Sequence, residues 1–72
     1  MTEEEQILYM QIRLLRMTAE KRHISLKEAA LLFEQYDVLS FIRQGYGIFH
    51  VEGDKAIFNE VRLYLKSKGA EI

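Results

Sequence analysis

The chain has no cysteine, no proline and no tryptophan, and only four glycines. Each absence excludes something. Without Cys there is neither a disulfide nor a thiolate metal site. Its two histidines, His23 and His50, are far apart in sequence and lack neighbouring ligands. No metal and no cofactor is therefore expected. No apolar run approaches the roughly 20 residues of a membrane span. The opening MTEEEQ is acidic, the opposite of the basic start of a secretory signal. With the lack of Cys, this gives the expectation of a cytoplasmic protein. The net charge is −1, with acids and bases interspersed, so the basic footprint of a nucleic-acid binder is missing. Nucleic acid and membrane are not expected partners.

What is present is apolar content, 49% of 72 residues against 29% charged, in a single domain. So short a chain is marginally stable. With no disulfide or metal to help, it needs efficient helix packing or a partner chain.

The residues divide into four helical segments. The first reads from Glu3 to Arg22. Thr2 and Glu5 form a capping-box pattern, three glutamates sit in the first turn, and Lys21 and Arg22 sit in the last. Its apolar face is wide. Leu8, Ile12, Leu15 and Ala19 make one stripe; Ile7, Met10, Leu14 and Met17 make another, with Gln11 and Thr18 between them. The second helix reads from Leu26 to Tyr36, opened by a Ser25–Glu28 capping box and turned inward on Ala29, Leu32, Phe33 and Tyr36. Asp37 is the expected cap of a short third helix, Val38 to Gln44, which Gly45 would end. Gly45-Tyr46-Gly47 then reads as a turn, and 48–51 as an irregular or extended segment. Asp54 is the expected cap of a fourth helix, Lys55 to Lys68, stopped at Gly69, with a frayed Ala70-Glu71-Ile72 beyond. The expected fold is all-α: a small bundle of two longer and two short helices.

Ile24-Ser25, Glu28-Ala29, Leu32-Phe33-Glu34 with Tyr36, Val38-Leu39, Tyr46, His50, Gly53 and Tyr64-Leu65 resemble DUF3791, a bacterial family of small domains of unknown function. The resemblance covers residues 24–65. It implies a small helical domain without an established activity. Members are often encoded beside proteins resembling ADP-ribosyltransferases, which points to a partner-dependent, toxin–antitoxin-like role.

Chemistry-bearing residues are few. Glu52, Asp54 and Glu60 could be an acid–base cluster, but no nucleophile or oxyanion device accompanies them, and no enzyme is expected. Helices two and three could form a helix-turn-helix, yet the reader VLSFIRQ offers only Ser40, Arg43 and Gln44 as polar groups. His50 either faces a partner or bonds local backbone; a structural histidine needs no second catalytic group, and none is apparent. Arg13, Arg16 and Arg43 read as scattered surface bases, and Tyr36, Tyr46 and Tyr64 as rings to bury with hydroxyls left wet. The doubled stripe of the first helix exceeds what so small a domain can enclose. It gives the leading expectation: a non-enzymatic interaction module that binds a protein partner or itself, with a small helix-turn-helix regulator as the alternative. Ile7, Met10, Leu14, Met17, Tyr46 and His50 are the expected partner-facing residues, the other stripe being assigned to the core.

Overall fold

A computed structural model describes residues 1–70. Its elements are four helices: α1 (Glu3–Arg22), α2 (Leu26–Gln35), α3 (Val38–Phe49) and α4 (Asp54–Ser67). The all-α bundle read from the sequence is the fold observed. The 20 residues of α1, at about 1.5 Å rise each, run the length of a molecule whose long axis is 32 Å. The other three helices pack on it, and α3 also packs on α2 and on α4.

Local chemistry sets the helix ends. The Thr2 hydroxyl accepts from the Glu5 amide, and the Glu5 carboxylate accepts from the Thr2 amide and hydroxyl. Ser25 and Glu28 repeat this exchange at α2. At the end of α1, His23 takes the left-handed conformation (φ 57°) and its amide returns to the Ala19 and Glu20 carbonyls. A helix leaves its first four amides and last four carbonyls without intrahelical partners; at the starts of α1 and α2 and the end of α1 the sequence supplies local partners for some of them.

The core joins Ile7, Met10 and Leu14 of α1 to Phe33 of α2, Val38, Ile42, Tyr46 and Phe49 of α3, and Ile57, Val61 and Leu65 of α4. The two polar residues between the stripes of α1 are buried and satisfied. Gln11 donates to the Leu39 carbonyl at 3.0 Å, and the Thr18 hydroxyl donates to the Leu14 carbonyl at 2.8 Å. On α2, Ala29 and Phe33 are buried, with Leu32 and Tyr36 packed against the core, as the spacing requires.

Three expectations need correction. First, Gly45 does not end the third helix, and 45–47 is not a turn. Helix α3 continues through Tyr46 and Gly47 to Phe49, so 48–49 is helical and 50–51 is a turn rather than an extended segment. The energetics explain it. Each glycine costs about 1 kcal/mol in a helix relative to Ala. Continuing the helix buries Tyr46 and Phe49 on the same line as Val38 and Ile42, and each such ring contributes about 1.5–3 kcal/mol. Gly45 has a packing role: a Cβ there would stand 2.4 Å from the Phe49 ring. That ring meets Phe41, which in turn stacks on Tyr64 at 4.2 Å between centroids.

Second, the capping roles of two aspartates are not realised. Asp37 occupies the position before α3, but in the left-handed conformation (φ 56°), with no side-chain cap bond. Gly53 is the residue before α4, and Asp54 lies in the first turn, where its carboxylate meets Arg13. Third, Ala70 is buried and its amide donates to the Leu65 carbonyl at 3.0 Å, so it closes α4 rather than fraying. Glu71 and Ile72, the rest of the expected frayed end, lie outside the described residues.

Candidate functional site

The contacts of α1 with α3 fix their relative direction. Glu4 pairs with Arg43 at 2.7 Å, the Tyr46 hydroxyl donates to the Gln6 carbonyl oxygen, and Gln11 bonds the Leu39 backbone. The helices are therefore antiparallel, and the start of α1 lies beside the end of α3. Between them, and next to the start of α4, is a cleft of about 290 Å³ lined by Met1, Gln6, Tyr9, Met10, Arg13, Tyr46 and His50.

Each lining group is held by the sequence around it. His50 is the residue after α3. Its Nδ1 lies 3.0 Å from the Tyr46 carbonyl oxygen, and its ring stacks on the Tyr46 ring at 5.3 Å. A carbonyl oxygen only accepts, so Nδ1 carries the hydrogen and donates; Nε2 of the neutral ring is left as an acceptor. Histidine here bonds local backbone and also presents a ring edge to the cleft. Arg13 is positioned by the Asp54 carboxylate, 3.3 Å away, which ties α1 to the first turn of α4. Around the cleft, Met1 is 78% exposed, Tyr9 48% and Val51 76%; Leu8 and Ile48 at this same end of the bundle are also open to solvent.

The electrostatics of this end come from α1's first turn. The Arg43 guanidinium, hydrogen-bonded to Glu4 and attracting it, holds the Glu4 carboxyl below the usual glutamate range. Glu4 raises the Arg43 pKa in return. The Thr2 amide and then its hydroxyl lower Glu5.

The structure divides the six expected partner-facing residues. Met10, Tyr46 and His50 come together in the cleft. Ile7 and Leu14 do not face outward: they are buried in the domain's own core, and Met17 packs against that core. The assignment of the two stripes is thus reversed. The stripe given to a partner is inside, and the one given to the core is only partly covered, with Ala19 buried, Ile12 and Leu15 half-buried and Leu8 open. The reason is the seat of α3. It docks on the Gln11 side of α1 through the Leu39 carbonyl, and Ile7 and Leu14 then share one buried cluster with Phe33 and Ile42. Reading the sequence missed Gln6, Tyr9 and Arg13. Tyr9 lies in neither stripe, and that placement of a large amphipathic ring was the one available signal.

Glu52, Asp54 and Glu60 make no cluster: among the described residues no group of three His, Cys, Asp or Glu could hold a metal ion. No helix among them is long and apolar enough to cross a membrane. Arg13 and Arg43, read as scattered surface bases, are exposed, and each is in an ion pair.

Fold and cleft define a small all-α domain with an aromatic, mixed-polarity recess at one end. The sequence model of the family described as "Protein of unknown function (DUF3791)" matches residues 9–68. The chain belongs to that family. No curated protein and no solved structure matches it.

Proposed function

We propose that the protein is a non-enzymatic interaction module, and that the end of the bundle formed by the start of α1 and the end of α3 binds a protein partner. The observation that carries this reading is that Met1 and Tyr9, both exposed, line one cleft with Tyr46, His50, Met10 and Arg13, and that exposed Val51 directly follows His50 in the chain. Aromatic residues, Met and Arg are the types enriched at interfaces, and contiguous exposed apolar surface marks an interaction site. A cleft of about 290 Å³ falls just below the roughly 300–1,000 Å³ of small-molecule sites. It fits an anchor side chain of a partner better than a cofactor. Met1 and Tyr9 supply the exposed contact area, and Arg13, paired with Asp54, supplies a polar group of the lining.

Two further features belong to this proposal. The partner is a second polypeptide, as in a toxin–antitoxin-like pair, with a second copy of this chain as the alternative that sedimentation decides. The setting is the cytoplasm of a bacterium. DNA binding has less support: on the outer side of α3 are Leu39, Arg43, Gln44, Gly47 and Ile48, and Arg43 is engaged by Glu4.

The test is retention of host proteins on the immobilised chain, compared with its Tyr9→Ser/Val51→Ser variant and with Leu63→Ser as a surface control. A protein held in stoichiometric amount by the wild type and the control, and lost on the double variant, is the expected result. Equal retention on all three baits refutes the assignment of the surface. Sedimentation of the chain alone at micromolar concentration is expected to give a monomer; a dimer that Tyr9→Ser dissociates would make the partner a second copy.

A further inference from the structure

We infer that a second recess, the groove between the last turns of α1 and the middle of α4, docks an acidic amphipathic segment of a partner protein. This surface is separate from the cleft described above and the inference does not depend on it. The groove has a volume of about 190 Å³ and a floor of Thr18, Phe58, Val61 and Leu65, with Lys21, Arg22 and Arg62 on its rim. At Thr18 the hydroxyl donates to the Leu14 carbonyl, so that its hydrogen is already used within α1. Phe58 is only half-buried.

The rim carries one sign of charge. Among the described residues none that lines the groove is acidic. Lys21 has no hydrogen bond or ion pair among the described residues, and Arg62 donates to the neutral Asn59 carbonyl oxygen at 2.8 Å. These two cations are therefore not neutralised there, in contrast to Arg13 and Arg43. Lys21 also lies in the last turn of α1, where the helix dipole favours it, so its charge costs the fold nothing to keep.

The chemistry of the occupant follows. An apolar floor flanked by the two unneutralised cations Lys21 and Arg62 is complementary to a chain that alternates large apolar side chains with carboxylates. The volume is below the range of small-molecule sites, about 300–1,000 Å³, and suits one or two side chains of a docked segment. An anionic membrane is the poorer match. Lipid-binding basic patches hold about four to eight Lys and Arg, whereas this rim has three, in a chain whose net charge is −1 and whose opposite end carries Glu3, Glu4 and Glu5.

The experiment is titration of the isotopically labelled full chain with two synthetic amphipathic helical peptides, followed by amide NMR. Both peptides have leucine on one face; one has glutamate and the other lysine on the opposite face. The glutamate peptide is expected to give saturable shifts centred on Phe58, Val61 and Arg62, weakened by added salt. Its affinity for Lys21→Glu/Arg62→Glu should fall about tenfold or more, as expected for lost complementary charge. The milder Lys21→Gln/Arg62→Gln variant should fall between the two, and thermal melts check that both exposed substitutions leave the fold intact. Equal binding of both peptides, shifts outside the groove, or no saturation would overturn the proposal. So would retention on phosphatidylserine vesicles that the glutamate peptide fails to displace, which would make the occupant a membrane. If charge reversal instead changes sedimentation of the protein alone, the occupant is the acidic start of a second copy and the proposal fails. Tyr9→Ser should leave the titration unchanged, so failure here and failure of the cleft are told apart.

Discussion

Substituting Gly45 and Gly47 separately by alanine should move stability in opposite directions. Both residues lie inside α3, and neither has the positive φ that would demand glycine; among the described glycines that conformation belongs to Gly69. On helix propensity alone each change would stabilise by about 1 kcal/mol. At Gly47 nothing stands within 4 Å of the added Cβ, so the gain is kept. A domain of this size shifts its Tm by about 4–8 °C per kcal/mol, and Gly47→Ala should rise by up to that amount. At Gly45 the new methyl meets three Phe49 ring carbons at 2.4, 2.6 and 2.9 Å. The ring cannot swing clear without leaving the core or displacing Phe41, so the substitution overpacks the site at a cost of about 1–3 kcal/mol. If the ring is expelled instead, its burial, about 1.5–3 kcal/mol, is lost. Set against the propensity gain, Gly45→Ala should lose up to about 2 kcal/mol net, which lowers the Tm by up to about 8–16 °C. Thermal melts at 222 nm with urea titrations read both. A turn at 45–47 would make both substitutions destabilising. Destabilisation by Gly47→Ala would therefore refute the continuous helix, and stabilisation by Gly45→Ala would refute the Phe49 contact.

Three other predictions follow from the same contacts. Leu14→Ala, at a fully buried position, should lose about 2–5 kcal/mol in urea unfolding, while Leu8→Ala should change stability by no more than about 0.5 kcal/mol; similar losses would mean that the two stripes are not divided as described. Glu4 and Glu5 both have folded pKa values depressed by their partners, so the stability they contribute is complete above the ordinary glutamate value of 4.5 and lost as pH falls through the lowered folded values. Melts in acid should show a falling Tm below that point, with a shallower fall in Arg43→Gln and in Thr2→Ala, and an unchanged slope in both would remove these two contacts as the cause. His50→Ala should lose one backbone hydrogen bond, about 0.5–1.5 kcal/mol net, and also weaken partner retention; unchanged melting with retention lost would assign His50 to the partner alone.

Much of the fold was legible because the helix signals are local. Thr2 with Glu5, and Ser25 with Glu28, gave the starts of α1 and α2 to the residue, and Lys21-Arg22 with His23 gave the end of α1. What failed depended on tertiary packing. Gly45 carries the local signature of a helix stop, but Phe49, four residues on, uses its missing side chain as a packing surface. Asp37 and Asp54 have capping chemistry, yet Asp37 adopts a left-handed backbone and Asp54 is drawn to Arg13 on another helix. The width of the α1 face was visible from its spacing, but which stripe faces inward depends on where α3 docks, a contact set by the Gln11 amide and the Leu39 carbonyl across 28 residues of sequence. The cleft was half legible. Tyr46 and His50 stand out as a pair in sequence, whereas Gln6, Tyr9 and Arg13 join them only once α1 and α3 lie antiparallel.

The three methionines allow the most direct test of the partner surface. Met1 and Met10 line the cleft, and Met17 packs against the core away from it. Methyl NMR of the methionine-labelled chain, free and then saturated with the protein retained in the binding experiment, should shift the Met1 and Met10 signals and leave Met17 in place. A complex that moves Met17 while Met1 and Met10 stay unchanged would contradict the assignment of the cleft.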